Sequence, residues 1–158
     1  MDADVARGLL SAGTPVEEKL RRYIMRETKQ RLHQPVFRAG VLRAYRYRCA
    51  VCSLNHAGLL DAAHIVPDRL EIGVAAVRNG MALCKIHHAA YDRNIMGIRP
   101  DLVIEIRQEI LDESDGPMLK HGLQVWHGKR LMVVPNARGE MPNAKLLGIR
   151  YDEFKVAK

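Results

Sequence analysis

Apolar residues recur at helical spacing in two early stretches and then give way to shorter runs. From Pro15 to His33, "PVEEKLRRYIMRETKQRLH", the residues Leu20, Tyr23, Ile24 and Leu32 draw a modest apolar stripe on a charged helix. Thr14 suits its N-cap and Pro15 its first position, and Glu17 and Glu18 sit at the positive end of the helix dipole. A second helix is predicted from Pro35 to about Tyr45, with Val36, Phe37, Val41, Leu42 and Tyr45 as its core side.

The pattern then shortens. A tight knuckle, "YRCAVC", precedes "GLLDAAHIVP", which reads as a strand ending at Pro67. Residues 68–80 read as a loop with a short turn of helix, closing at the turn signal "NG". "MALC" is a short strand, followed by a helix from about Lys85 to Arg93. Past Gly97 the expected elements are a strand in "DLVIEI", a short helix in "RQEILDE", a strand in "RLMVV" and a terminal helix in "YDEFKVAK". The fold class is α+β. One domain is expected over residues 1–158, with helices in residues 1–45, a central core in 46–98 and a mixed extension in 99–158.

Composition sharpens this picture in three ways. The chain has 158 residues, 47% of them apolar and 27% charged, which places it among folded globular proteins rather than disordered ones. No apolar run reaches membrane-span length, and the first residues lack the basic-then-apolar order of a signal peptide, so a cytoplasmic protein is expected. The net charge of +7 favours a polyanionic partner, of which nucleic acid is the usual one. The helix over 15–33 gathers Lys19, Arg21, Arg22, Arg26, Lys29 and Arg31. With Arg43, Arg46 and Arg48, these are candidates for phosphate contacts that position without reading sequence.

Three cysteines do not pair off into disulfides, so each is weighed first as a metal ligand. Cys49 and Cys52 form one C-x-x-C knuckle, and Cys84 and His87 form a second pair at the same spacing. Two such pairs supply the four ligands that tetrahedral zinc requires, and together they use every cysteine in the chain. With no position left open, the site reads as structural. His88 directly follows His87, but neighbours on a helix point about 100° apart, so the second histidine must serve another purpose.

His64, Asn79 and His88 lie outside the zinc pattern, separated by fifteen and nine residues. In this order and spacing they resemble the HNH nucleases, whose ββα-metal motif is named for His, Asn and His. The phrase "DAAHIVP…NGMALCKIHHAAYD" looks most like the subgroup found at the C-terminus of modification-dependent bacterial restriction endonucleases. The flanking segments "FRAGVLRAYRYRCAVC" and "DESDGPMLKHGLQVWHG" resemble that subgroup as well, over roughly residues 35–155. Residues 1–34 fall outside the likeness, and they are too few for the module by which such enzymes recognise modified bases. The resemblance implies a ββα-metal HNH core with a structural zinc knuckle, between N-terminal helices and the C-terminal extension.

It also implies a metal-dependent endonuclease acting on DNA, in a restriction or defence setting, that leaves 5′-phosphate and 3′-hydroxyl ends. A neutral imidazole is a good general base near pH 7, and His64 is expected to activate water. Asn79, by resemblance, fixes the loop against the strand and orients His64. The catalytic divalent metal (Mg2+, or another such as Mn2+ or Ni2+) is expected on His88, with Asp61 and Asp92 as further ligands. Where the family often carries its first ligand, directly before the base, this chain has Ala63. Asp61 lies two residues earlier, on the same strand face. Asp92 follows His88 by one helical turn. The chain would then be a nuclease, and a homodimer through 99–158 is one way for it to cut both strands. A zinc-knuckle protein that binds DNA without cutting is the alternative. His33, His56, His121 and His127 fit no constellation, and Trp126 reads as core or interface.

Overall fold

The computed structural model describes residues 14–67 and 75–157. The first element is the helix α1 (Pro15–Ala44), which contains both helices expected from the sequence. Pro35 lies inside it, where the missing N–H removes a helical hydrogen bond. The chain divides into two compact units at this residue, one ending at Pro35 and the other spanning Val36–Lys158.

In the first unit, the helix start is held by a reciprocal capping pair. The Glu17 N–H donates to Thr14 Oγ1 at 3.3 Å, and the Thr14 N–H donates to Glu17 Oε2 at 2.9 Å. Leu20, Tyr23, Ile24 and Leu32 are exposed, so the apolar stripe read from the sequence is a surface feature.

The second unit is built around a hairpin and a helix. Strand β1 (Leu60–His64) pairs antiparallel with β2 (Gly80–Cys84) in the register Leu60↔Cys84, Ala62↔Ala82, His64↔Gly80. Helix α2 (Lys85–Asp92) follows β2 with no intervening loop. The expected turn of helix before β2 is a 3₁₀ turn at Val77–Asn79; residues 68–74 of that loop lie outside the described residues. A second hairpin pairs β3 (Met96–Ile98) with β4 (Ile104–Ile106), and the short helices α3 (Gln108–Asp112) and α4 (Pro117–Gly122) lead to α5 (Ala144–Val156).

The core gathers Phe37, Val41, Leu42 and Tyr45 with Leu60, Ile65, Met81, Leu83, Tyr91, Met96, Ile98, Ile104 and Leu147. Val36, read as core, is 73% exposed, because the buried side of the helix is the one carrying Phe37, Val41 and Tyr45. The strand expected over 130–134 forms only an isolated bridge between Val103 and Arg130. The Leu131 amide closes that bridge on the Leu102 carbonyl, and the next amides, of Met132 and Val133, turn away and both donate to Ala50. The terminal helix starts earlier than the apolar pattern suggested. Asn143 caps it, its Oδ1 accepting from the Lys145 and Leu146 N–H groups. Among the described residues, no helix is long and apolar enough to cross a membrane.

Gly80 is a point of close approach. A Cβ there would stand 2.5 Å from Val41 Cγ2 and 2.8 Å from Phe37 Cζ. Gly80→Ala is expected to destabilise the fold by about 1–3 kcal/mol through overpacking, measured as a lowered midpoint in urea unfolding followed by circular dichroism.

Candidate metal centre and active-site cleft

Two backbone turns deliver the zinc-type ligands. In the knuckle, the Cys49 N–H donates to the Leu54 carbonyl and the Ser53 N–H donates to the Cys49 carbonyl, with Ser53 in the left-handed region at φ 61°. The other pair straddles the junction of β2 and α2, where Cys84 is the residue preceding the first helical turn. The ligand atoms of Cys49, Cys52, Cys84 and His87 all lie within 4.8 Å of one another. His87 Nδ1 is 3.4 Å from Cys49 Sγ and 3.1 Å from Cys84 Sγ. Tetrahedral zinc places such ligands roughly 3.5–3.8 Å apart, so both the donor set and the spacing fit the ion.

The other ring nitrogen of His87, Nε2, is 2.7 Å from the Gly122 carbonyl oxygen at the end of α4. A proton on Nε2 donates there and leaves Nδ1 to face the sulfurs, the outer-shell bond that ligating histidines usually make. Trp126 is half-buried and stands edge-on to the same ring, with centroids 6.2 Å apart. Hydrogen bonds with Cys49 and Cys52 lower the Cys84 thiol well below its usual range, while Cys52, Cys84 and burial raise that of Cys49. Burial works against a charged His87, yet Cys52 and Cys84 outweigh it and raise the imidazole to about 9.

The second constellation lies at the far end of the hairpin and along α2. His64 is the last residue of β1, and its ring stacks on Phe37 with centroids 4.0 Å apart and planes 12° from parallel. Asn79 is buried, and its carboxamide clasps Val66 twice: Oδ1 accepts from the Val66 N–H and Nδ2 donates to the Val66 carbonyl, both at 2.9 Å. Just before this clasp, the Ile65 N–H donates to the Asn79 carbonyl, so the strand carrying His64 is pinned immediately beyond its last residue.

His88 is flanked by both expected carboxylates. Asp61 Oδ2 is 3.3 Å from Nδ1, and Asp92 Oδ2 is 3.3 Å from Nε2. These three do not converge on one point as the cysteine cluster does; among the described residues, only that cluster gathers its ligand atoms so closely. Asp61 also accepts from Lys85 Nζ at 2.6 Å. Burial alone would raise its carboxyl, but Lys85 and then His88 reverse this and hold it below the usual carboxylate range.

His64, His88 and Asp92 open on a cleft of about 470 Å³, together with Ile65, Pro67, Asn94, Arg150 and Glu153. One imidazole nitrogen and one carboxylate beside open space suit a divalent cation that must keep positions for phosphate and water.

Several residues of the site escape sequence reasoning. Lys85, Asn94, Arg150 and Glu153 belong to no spacing pattern, and two of them come from the C-terminal extension. Arg150 is buried against the end of α2: Nη2 donates to the Tyr91 carbonyl at 2.6 Å, Nη1 donates to Asn94 and Glu153, and the guanidinium lies over the Tyr91 ring. A cation at a helix C-terminus is favoured by the dipole, and the Tyr91 carbonyl, which also accepts from the Asn94 N–H at 3.2 Å, lies in the last turn, where carbonyls lack the regular helical partner. In contrast, Arg43, Arg46 and Arg48, read as phosphate contacts, donate to Glu140, to Val134 and Asn136, and to Ser53.

Two substitutions test this geometry. Cys84→Ser is expected to abolish zinc binding and, with it, cooperative unfolding of the second unit. Structural zinc contributes about 10–16 kcal/mol of apparent binding energy, and elemental analysis alongside near-UV dichroism reads both losses. Asn79→Ala leaves two backbone groups of Val66 without partners, at about 1–3 kcal/mol each, seen as a shift in the urea midpoint with zinc content unchanged.

A model of the family described as HNH endonuclease matches residues 49–99. Among curated proteins, none matches the chain. Among solved structures, the chain is similar to a modification dependent TagI restriction endonuclease, with 14% identity and a TM-score of 0.50, over 74% of this chain and 36% of that one. The likeness at this identity is one of fold, and the chain spans little more than a third of that protein's length. The stretch that this family model matches, residues 49–99, is the one that carries the zinc-type cluster together with His64, Asn79 and His88.

Proposed function

We propose that the protein is a metal-dependent endonuclease that hydrolyses DNA phosphodiester bonds, in a restriction or defence role. The observation that carries this reading is that His64 and His88, from opposite ends of the HNH triad, open on one cleft. A DNA-binding zinc knuckle that cuts nothing has no use for that juxtaposition.

Hydrolysis needs a water stripped of its proton in line with the leaving oxygen, and compensation for charge that grows on the phosphate. His64 takes the proton from water. Phe37 restrains the plane of its imidazole by stacking, and Asn79 restrains the backbone just beyond it. His88 Nε2 and Asp92 Oδ2 are the pair that hold a divalent cation at the cleft; Asp61 stands at the other edge of the His88 ring. When bound, the cation neutralises the phosphate and steadies the leaving 3′-oxygen. The net charge of +7 draws the polyanionic substrate to the protein before any base is read.

The decisive experiment incubates supercoiled plasmid, with and without cytosine methylation, with the protein and Mg2+, Mn2+ or Ni2+, beside His64→Ala. Nicking or linearisation is expected from the wild type, slowed by about 10²–10⁴-fold in the variant, the usual contribution of a general base. No cutting with any metal, while DNA is still retarded on a gel, overturns the nuclease and leaves the zinc-knuckle binder.

A further inference from the structure

The two carboxylates beside His88 stand at opposite edges of its ring, Asp61 at Nδ1 and Asp92 at Nε2. The two nitrogens of an imidazole point away from each other, so an ion bonded to one lies out of reach of the other. A cation shared by His88 and Asp92 therefore excludes Asp61 from its coordination, and the reverse also holds.

Two observations choose between the edges. The first is access. The cleft is lined by His64, His88 and Asp92, and the general base and the cation must act on the same phosphate. The second is charge. The Asp61 oxygen that faces Nδ1 also accepts from the Lys85 ammonium at 2.6 Å. A divalent cation bound to that oxygen would lie within a few ångströms of this positive charge and be repelled by it. A proton on Nδ1 meets no such objection.

We propose that Asp61 is a positioning residue rather than a metal ligand. It accepts the Nδ1–H of His88, which fixes the tautomer and the ring plane and leaves Nε2 as the lone-pair donor toward the cleft. Lys85 holds the carboxylate from its other side. This is the carboxylate–imidazole–metal arrangement in which an outer partner sets the ligand's orientation and basicity. It rests on the reading of His88 as a ligand to the catalytic cation.

The test is Mn2+ binding to zinc-loaded protein, with free Mn2+ read by electron paramagnetic resonance. The proteins are wild type, Asp61→Ala, Asp61→Asn, His88→Ala and the double variant Asp61→Ala/His88→Ala. Zinc content and urea midpoint confirm that each is folded. If Asp61 acts through His88, Asp61→Ala weakens Mn2+ by about 10–100-fold. It then has no further effect once His88 is alanine, the non-additivity of two residues in one chain of contacts. Asp61→Asn, whose amide oxygen still accepts from Nδ1–H, keeps most of the affinity. An equal loss from Asp61→Ala in both backgrounds overturns the proposal and makes Asp61 a direct ligand. No loss in either background removes its role altogether. A wild type that takes up zinc but binds no Mn2+ sinks the cation site itself, an outcome distinct from these.

Discussion

Four donors from two segments far apart in sequence meet within 4.8 Å, and the ββα core depends on that meeting. A hairpin of two five-residue strands has little stability of its own. Here the end where Leu60 pairs with Cys84 adjoins the cluster, because Cys84 both closes the register and supplies a ligand. Since α2 begins at the very next residue, the same junction fixes the helix's starting rotation, and with it the directions in which His87 and His88 point. Two adjacent histidines can thus serve unlike purposes: one is turned into the cluster, and the other is carried about 100° round the helix toward the cleft.

The far end of the hairpin is secured by different means. No metal-type cluster lies there among the described residues. Instead Asn79, inside a 3₁₀ turn, substitutes its carboxamide for a further rung of strand pairing by clasping Val66, while Gly80 lets Phe37 press close enough to lie flat against His64. A larger residue at position 80 would separate the helix from the strand at the place where the imidazole is held. Polar and steric devices together restrain this histidine, whereas the metal-type donor cluster stands at the opposite end of the hairpin.

Much of this was legible because it depends on short-range spacing. The paired C-x-x-C and C-x-x-H ligands, the strands around Asp61 and Leu83, and a helix starting at Lys85 all follow from local pattern and chemistry. The cap at Thr14 did too, its hydroxyl and the Glu17 carboxylate being three residues apart. What escaped were features decided by distant partners. The strand expected over 130–134 stops after one bridge because the Met132 and Val133 amides go to Ala50, and no local signal in "RLMVV" announces that. Val36 looked as apolar as Phe37, but the helix has only one buried side there. Spacing brings Asp61 near His88; which edge of the ring it faces depends on packing, and the contribution of Lys85 is invisible in the pattern. The start of α5 was in principle readable, since Asn143 after Pro142 is a good cap, but the weak apolar periodicity ahead of Tyr151 concealed it.

Arg150 gives the C-terminal extension a meaning that a motif boundary hides. The HNH match ends at residue 99, yet the carbonyl of Tyr91 at the end of α2 takes a second hydrogen bond from Arg150 of α5, and the histidine of the cysteine cluster is steadied by Gly122 of α4. The recognisable motif and the autonomous physical unit are therefore different lengths of chain. A graft of residues 49–99 into another protein would carry the three cysteines and the HNH triad and leave behind two of the contacts that hold them. For anyone moving this ββα core between scaffolds, the natural cut lies near residue 36 on one side and beyond α5 on the other.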